Sequence, residues 1–341
     1  EIFTQGDAWA QTLNAVDVMR PDIESLDIRQ YRQVIFTGCG SSYYSSLAAA
    51  TLFQNMTGIC AKAVPAGELW MDPGGHYGSG DNLLFAVSRS GSTTEVVQVV
   101  RQYRANRAGS VFSVYIDDGP LAHLSDYCLS INGAKERSIA QTRAFTSMYL
   151  GLVGVTTLAA GRPELFEEMR KLPDIGRSLL DRYESYARAV GENLDIDRFY
   201  YLGSGERYGL ACEGNLKMKE MAITHTEPFH FLEFRHGPIS MVNESTVVVG
   251  LLSESWRDYE EKVLHDVSRL GAQVVSLAEN KADISFESGL PESIRHVLYL
   301  PLLQTMAFYR SLKKGFDPDR PRNLDAVVVL EHGSGDRRGG E

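Results

Sequence analysis

Four residues in the second half of the chain have the types needed to move protons. Glu213, Lys217 and Glu220 are spaced by four and three, which places them on one face of a helix beginning near Tyr208. A carboxylate held near an ammonium among Leu210, Leu216, Met218 and Met221 can have its pKa tuned for acid–base work. The same spacing also fits an ion-paired helix face turned to solvent. Further on, Glu233, Arg235 and His236 precede Gly237-Pro238 in a charged turn between apolar residues. An imidazole fixed there suits proton transfer near neutral pH, or a structural role.

A second set of residues could hold an anion. In Val34-Ile35-Phe36-Thr37-Gly38-Cys39-Gly40-Ser41-Ser42, a β-branched and aromatic run stops at glycines and hydroxyls, and a helix-permissive segment, 43–53, follows. That pattern reads as strand, tight turn and helix. The glycines permit positive φ and close backbone approach, and the helix start offers unpaired N–H groups and the positive end of its dipole. With serines in place of a Walker lysine and no third glycine of a dinucleotide fingerprint, the turn suits a small phosphate monoester better than NAD or ATP. Taken alone it also fits a plain tight connection. Ser88, Ser90 and Thr93 form a second hydroxyl cluster after the apolar strand 82–87. Alone this is a polar turn with a helix cap; two such clusters at equivalent strand ends favour a ligand.

These side chains need a scaffold, and the pattern supplies one. Strands at 34–38, 61–65, 82–87, 110–116 and 127–131 alternate with helices at 43–53, 94–104 and 121–125, which predicts a parallel sheet covered on both faces. The plan then repeats. Gly203 and Gly205 stand 165 positions after Gly38 and Gly40, the strand 247–252 with Ser253-Glu254-Ser255 keeps that offset from the strand ending at Val87, and Glu233 keeps it from Glu68. A duplicated α/β unit follows. The expected organisation is an N-terminal helix (1–20), a first unit (21–162), a helical connector (163–192), a second unit (193–330) and a tail (331–341). Because Glu206, Arg207, Glu254 and Trp256 replace the hydroxyls in the second unit and would repel or block a phosphate, the anion is expected in the first unit only.

Bulk properties narrow the function. A chain of 341 residues with 43% hydrophobic content can bury a large core, and a net charge of -10 argues against a general nucleic-acid or membrane-surface binder. Cys39, Cys60, Cys128 and Cys212 are scattered without CxxC spacing, which suggests reduced thiols in a cytoplasmic protein and no zinc site. The N-terminus has no basic-then-apolar signal pattern and starts at Glu1 without a methionine, so a few residues are expected to precede it. The uncharged run 144–161 contains Ser, Thr and three glycines and is expected to be a buried helix rather than a membrane span.

Several motifs together give a specific resemblance. Gly38-Cys39-Gly40-Ser41-Ser42-Tyr43, Ser88-Arg89-Ser90-Gly91-Ser92-Thr93, Thr142-Arg143-Ala144-Phe145-Thr146, Glu213-Gly214-Asn215-Leu216-Lys217-Met218-Lys219-Glu220, His236-Gly237-Pro238 and Pro321-Arg322-Asn323-Leu324 span about residues 30–330. In type and order they resemble the double sugar-isomerase (SIS) family, including the isomerase half of glucosamine-6-phosphate synthases. The resemblance implies two tandem doubly wound parallel-sheet domains of the flavodoxin-like α/β/α kind. It further implies that Gly40, Ser41, Ser42, Ser88, Arg89, Ser90 and Thr93 hold the phosphate of a sugar, Arg89 through its backbone, and that Gln141 contacts the sugar. Glu220 matches the base that moves a proton between C1 and C2, with Lys217 and Glu213 as its neighbours. His236 matches the ring-opening histidine, which in the family can come from a partner subunit, so a homodimer is implied.

The residue types suit that chemistry. Imidazole can shuttle the hemiacetal proton, and a carboxylate over C1 and C2 can form a cis-enediol or enolamine; neither step calls for a metal or redox cofactor. Two departures from the synthases matter. The match begins within their isomerase half, without a glutaminase domain, and Asp325 and Ala326 follow the Pro321-Arg322-Asn323-Leu324 segment where a synthase places an imine-forming lysine nearby. Glutamine-dependent synthesis is therefore not expected. The expectation is a phosphosugar isomerase or deaminase acting on a hexose or hexosamine 6-phosphate, with conversion of glucosamine 6-phosphate to fructose 6-phosphate and ammonia as the leading reaction. The alternatives are a fructosamine-6-phosphate deglycase and a sugar-phosphate sensor without turnover.

Overall fold

Each half of the chain builds a five-stranded parallel sheet. In the computed structural model, which describes residues 1–77, 80–325, 327, 328 and 330, the first sheet contains β1 (Gln33–Gly38), β2 (Ala61–Pro65), β3 (Asn82–Ser88), β4 (Gly109–Tyr115) and β5 (Tyr127–Ser130), in the order β2-β1-β3-β4-β5. The second contains β6 (Arg198–Leu202), β7 (His225–Phe229), β8 (Thr246–Leu251), β9 (Gln273–Ala278) and β10 (Ile284–Ser285), in the order β10-β9-β8-β6-β7. Read from the partner of its first strand, each sheet has the flavodoxin-like order 2-1-3-4-5, and the duplication holds strand by strand. Central strands are buried on both faces: every residue of β3 and of β8 is out of solvent, which is why these strands read as continuous apolar runs rather than alternating ones.

Helices of eight residues or more are numbered here: α1 (Gln5–Val18), α2 (Ser41–Thr57), α3 (Thr94–Ala105), α4 (Arg143–Ala159), α5 (Leu172–Glu192), α6 (Glu206–Ala222), α7 (Arg257–Arg269) and α8 (Leu300–Lys313). The N-terminal helix docks on the first half, where fully buried Trp9 donates its Nε1–H to Thr146 Oγ1 at 2.9 Å. A single apolar cluster runs through both halves and includes Phe36, Phe53, Tyr149, Leu210, Met218 and Leu303. The uncharged run is the buried helix α4, and among the described residues no helix is long and apolar enough to cross a membrane.

The two halves meet through equivalent helices. α2 and α6 carry the same 165-residue offset at both ends and lie antiparallel. Along their contact Ser41 meets Lys217, Gly209 meets Tyr44 and Ala48, and Asn55 meets Glu206. A Cβ on Gly209 would come within 2.6 Å of the Ala48 nitrogen, so the helices approach closely only because that position is glycine. This crossing has a functional consequence: the C-terminal part of α6 lies against the N-terminus of α2.

The N-terminal helix expected over 1–20 ends at Val18, and Pro21 sits in the first turn of a second, short helix, Arg20–Ser25, where its missing N–H costs nothing. Between β2 and β3, Gly74–Tyr77 forms one helical turn. The expected tail at 331–341 lies outside the described residues.

Candidate active site

A cavity of about 190 Å³ opens at the C-terminal ends of β1 and β3, the point where the strand order reverses. Its floor is the turn into α2. Gly38 sits so close to the following helix that a Cβ would meet the Ser42 backbone at 2.7 Å, and Gly40 has φ 54° and ψ −125°. Both demands explain the glycines. Ser41 and Ser42 open the helix and line the cavity. Opposite them, Ser88 and Thr93 hydroxyls lie 3.0 Å apart, and Ser90 Oγ is 3.5 Å from each. These hydroxyls and helix N-termini form an anion cradle built from neutral donors.

The Arg89 guanidinium points away from the cradle. Its Nη1 donates to the carbonyls of Ser138 and Ile139 at 3.1 and 3.0 Å and faces Glu136 Oε1 at 3.5 Å. Glu136, which sequence reasoning missed, accepts from Thr142 N at 3.0 Å, Thr142 Oγ1 at 3.1 Å and Ala144 N at 3.3 Å, and so caps α4. Burial pushes its carboxyl up despite those donors and Arg89. The clamp fixes the loop carrying Gln141, which lines the cavity. No spacing rule would have found it, because the partners join only in the fold.

Lys217 and Glu213 are completely buried, which rules out the solvated helix face. Ser41 Oγ donates to Glu213 Oε1 at 3.1 Å and accepts from Lys217 Nζ at 3.2 Å, and Lys217 Nζ lies 3.4 Å from Glu213 Oε1. Lys217 also pairs with Glu220, whose side chain is 19% exposed and reaches the cavity wall. Burial, with the nearby charge of Glu220, pushes Glu213 up to about 8 against the pull of Lys217. For Lys217 burial works against the ammonium, but Glu213 and Glu220 outweigh it and the net direction is up. The interior thus supports one ammonium and one carboxylate, with Glu213 holding its proton near neutrality.

The remaining walls come from Cys39, whose thiol burial pushes up to about 12, from Glu95, and from the C-terminal residues Leu324, Asp325, Val327 and Val328. Leu330 N donates to Thr94 Oγ1 at 3.1 Å, which ties this segment over the start of α3. Beyond Glu220 lie two further open cavities bordered by Lys219, Arg320 and Arg322. Among the described residues none of these three forms an ion pair, and Arg322 lies over the Phe316 ring at 4.8 Å.

His236 is not brought to this cavity. It is exposed, and Arg235 beside it pairs with Asp266. Its loop packs at the start of α6, where Phe231 N donates to Ser204 Oγ at 3.3 Å, whereas Glu220 lies near the other end of that helix, roughly 20 Å away at 1.5 Å per residue.

The equivalent cleft in the second half is filled by the protein's own carboxylates. Gly205 repeats the backbone of Gly40, with φ 59° and ψ −132°. Ser253 donates its amide and hydroxyl to Glu260 Oε2 at 2.6 and 2.9 Å, and Glu254 N and Arg207 Nη1 donate to Glu292 Oε1 at 3.2 and 2.7 Å. Glu260 and Glu292 therefore occupy the donors; Trp256, expected to block the cleft, is 64% exposed.

Two flavodoxin-like units, one with an open cleft lined by hydroxyls and one with its cleft filled, define a duplicated parallel α/β fold. The SIS domain profile matches residues 27–155 and 194–301, and the chain belongs to the SIS domain family. It is 31% identical over 322 residues to a glutamine–fructose-6-phosphate aminotransferase (isomerizing) of Sulfurisphaera tokodaii, a match covering 94% of this chain and 53% of that protein. The chain thus spans about half the length of the curated relatives it matches. Among solved structures, it is similar to a tagatose-6-phosphate ketose/aldose isomerase from Escherichia coli, with TM-score 0.84, 26% identity and coverage of 98% of this chain and 95% of that one. It is also similar to a glucosamine-6-phosphate deaminase from Thermotoga maritima, with TM-score 0.78, 26% identity and coverage of 94% and 100%.

Proposed function

We propose that the chain is a phosphosugar isomerase or deaminase that moves a proton between C1 and C2 of a hexose or hexosamine 6-phosphate. One observation carries this reading: Glu220 stands on the wall of the cavity that holds the serine cradle, and Lys217 ties it through Ser41 to the cradle itself. A sugar phosphate anchored by Ser41, Ser42, Ser88, Ser90, Thr93 and the backbone at Gly40 and Arg89 would present its carbonyl end to Glu220, with Gln141 alongside. Lys217 holds the carboxylate in place, and Glu213, keeping its own proton, adds no second negative charge beside it. The leading reaction is deamination. Glu220 takes the C2 proton of open-chain glucosamine 6-phosphate and returns it to C1. The resulting C2 imine adds water and releases ammonia, so that glucosamine 6-phosphate and water give fructose 6-phosphate and ammonia.

Ring opening falls to His236 of a second copy. Its own Glu220 is out of reach by roughly the length of α6, so a homodimer completes the site. A second reading is favoured by the cavities beside Glu220, of about 230 and 410 Å³ and bordered by Lys219, Arg320 and Arg322: a fructosamine 6-phosphate whose amine carries an anionic substituent would extend into them. Incubation with glucosamine 6-phosphate, fructose 6-phosphate and a fructosamine 6-phosphate, assayed for ammonia, aldose and free amine, separates the two. Glu220→Gln should lower kcat by about 10²–10⁴-fold. Full turnover by that variant would remove Glu220 as the base, and saturable binding without any product would make the protein a sensor.

A further inference from the structure

The charges on the cavity wall are unbalanced for a sugar phosphate alone. The cradle offers its anion hydroxyls and amides, and the two cations beside it are already engaged, Lys219, Arg320 and Arg322 lying beyond Glu220 around the neighbouring cavities. Arg89 turns its guanidinium to Glu136 and two carbonyls, while Lys217 is shared by Glu213 and Glu220 behind Ser41. Three carboxylates, Glu95, Glu220 and Asp325, line the same cavity. Glu95 sits in the first turn of α3, its Oε2 out of solvent and without a hydrogen-bond partner among the described residues, and Glu220 is paired with Lys217. Asp325 is exposed and, among the described residues, has no hydrogen-bond or ion-pair partner. On the same wall Gln141 Oε1 is out of solvent and likewise unpartnered among the described residues. Gln141 Oε1 is buried without a donor, and Asp325 reaches the cavity with no cation among the described residues to answer its charge, so both would accept N–H groups brought by a ligand.

On the basis of the proton-transfer function proposed above, we propose that Asp325 is a specificity-determining residue that holds the protonated nitrogen at the C1–C2 end of an amino-sugar or fructosamine 6-phosphate. The ammonium offsets the wall carboxylates, and a sugar with a hydroxyl in its place leaves Asp325 unpaired next to a dianion. Selection therefore acts through charge as well as shape, and the preferred substrates carry nitrogen whichever of them is turned over.

The test compares glucosamine 6-phosphate with glucose 6-phosphate on the full chain, as wild type, Asp325→Asn and Asp325→Glu. Wild type should show the higher kcat/KM on the amino sugar, and Asp325→Asn should lower the amino-to-hydroxyl ratio by about 10- to 100-fold, mostly through KM, the size of one charge-assisted hydrogen bond. Asp325→Glu, which keeps the charge, should restore part of that ratio. With wild type, KM for the amino sugar should rise as the substrate amine deprotonates, and Asp325→Asn should flatten that dependence. An unchanged ratio, or an equal fall on both sugars, would overturn the assignment. If wild type turns over neither sugar, the proposed reaction fails separately, and calorimetric binding of the same pair to wild type and Asp325→Asn still reads the ratio; equal affinities, or no binding of either sugar, would overturn the role of Asp325.

Discussion

Glu213→Gln isolates the electrostatics beneath Glu220, the proposed base. Glu213 is fully buried and raised from 4.5 to about 8, so between those pH values the folded protein holds a proton that the unfolded chain has released. Stability conferred by the wild-type side chain is therefore fully present at the low end of that window and falls as pH rises through it. The slope is about 1.4 kcal/mol per pH unit, or about 5 kcal/mol over the whole window. Glutamine has nearly the same shape and no proton to lose. Glu136 and Glu260 are also raised by burial, but both proteins keep them and their contributions cancel in the difference. Lys217 is raised above 10.5, outside the window. Urea unfolding of the two proteins from pH 5 to pH 8 should thus show the variant gaining on wild type with every pH unit. Parallel stability curves would refute the reasoning, because Glu213 would then be ionised in the folded state at neutral pH.

Other predictions test the parts separately. Removing two cradle hydroxyls with Ser88→Ala and Thr93→Ala should raise KM by roughly 10-fold each, at about 1–1.5 kcal/mol per neutral hydrogen bond, with little loss of thermal stability. An unchanged KM in both would move the phosphate elsewhere. Chains carrying His236→Ala and chains carrying Glu220→Gln should each be nearly inactive, yet recover a fraction of wild-type turnover when unfolded and refolded together, since mixed dimers contain one intact site. No recovery would place the ring-opening group within a single chain. Substituting Arg320 and Arg322 by alanine should lower kcat/KM and weaken its dependence on salt, because unpaired cations beside the cavity draw in a dianion to a chain of net charge -10. An unaltered salt dependence would show that these arginines do not steer the substrate.

Local pattern in the chain determined the two parallel sheets, the turn at Gly38 to Ser42, the second hydroxyl cluster and the helical face bearing Glu213, Lys217 and Glu220, because each depends on periodicity or on what only glycine can adopt. The 165-residue offset also announced the duplication, down to matching backbone angles at Gly40 and Gly205. Tertiary structure decided everything that depends on which surfaces meet. The antiparallel crossing of α2 and α6 sets Lys217 against Ser41 and excludes water from Glu213, so a pattern that fitted a solvated face became a buried charge cluster. Glu136 clamps Arg89 across 47 residues, Glu260 and Glu292 fill the second cleft, and Asp325 joins the wall built around Ser41. Sequence spacing specifies what one element presents, but burial and charge pairing belong to contacts between elements distant in the chain, which is also why the motif match of His236 did not reveal that it lies exposed at the far end of α6, away from the cavity.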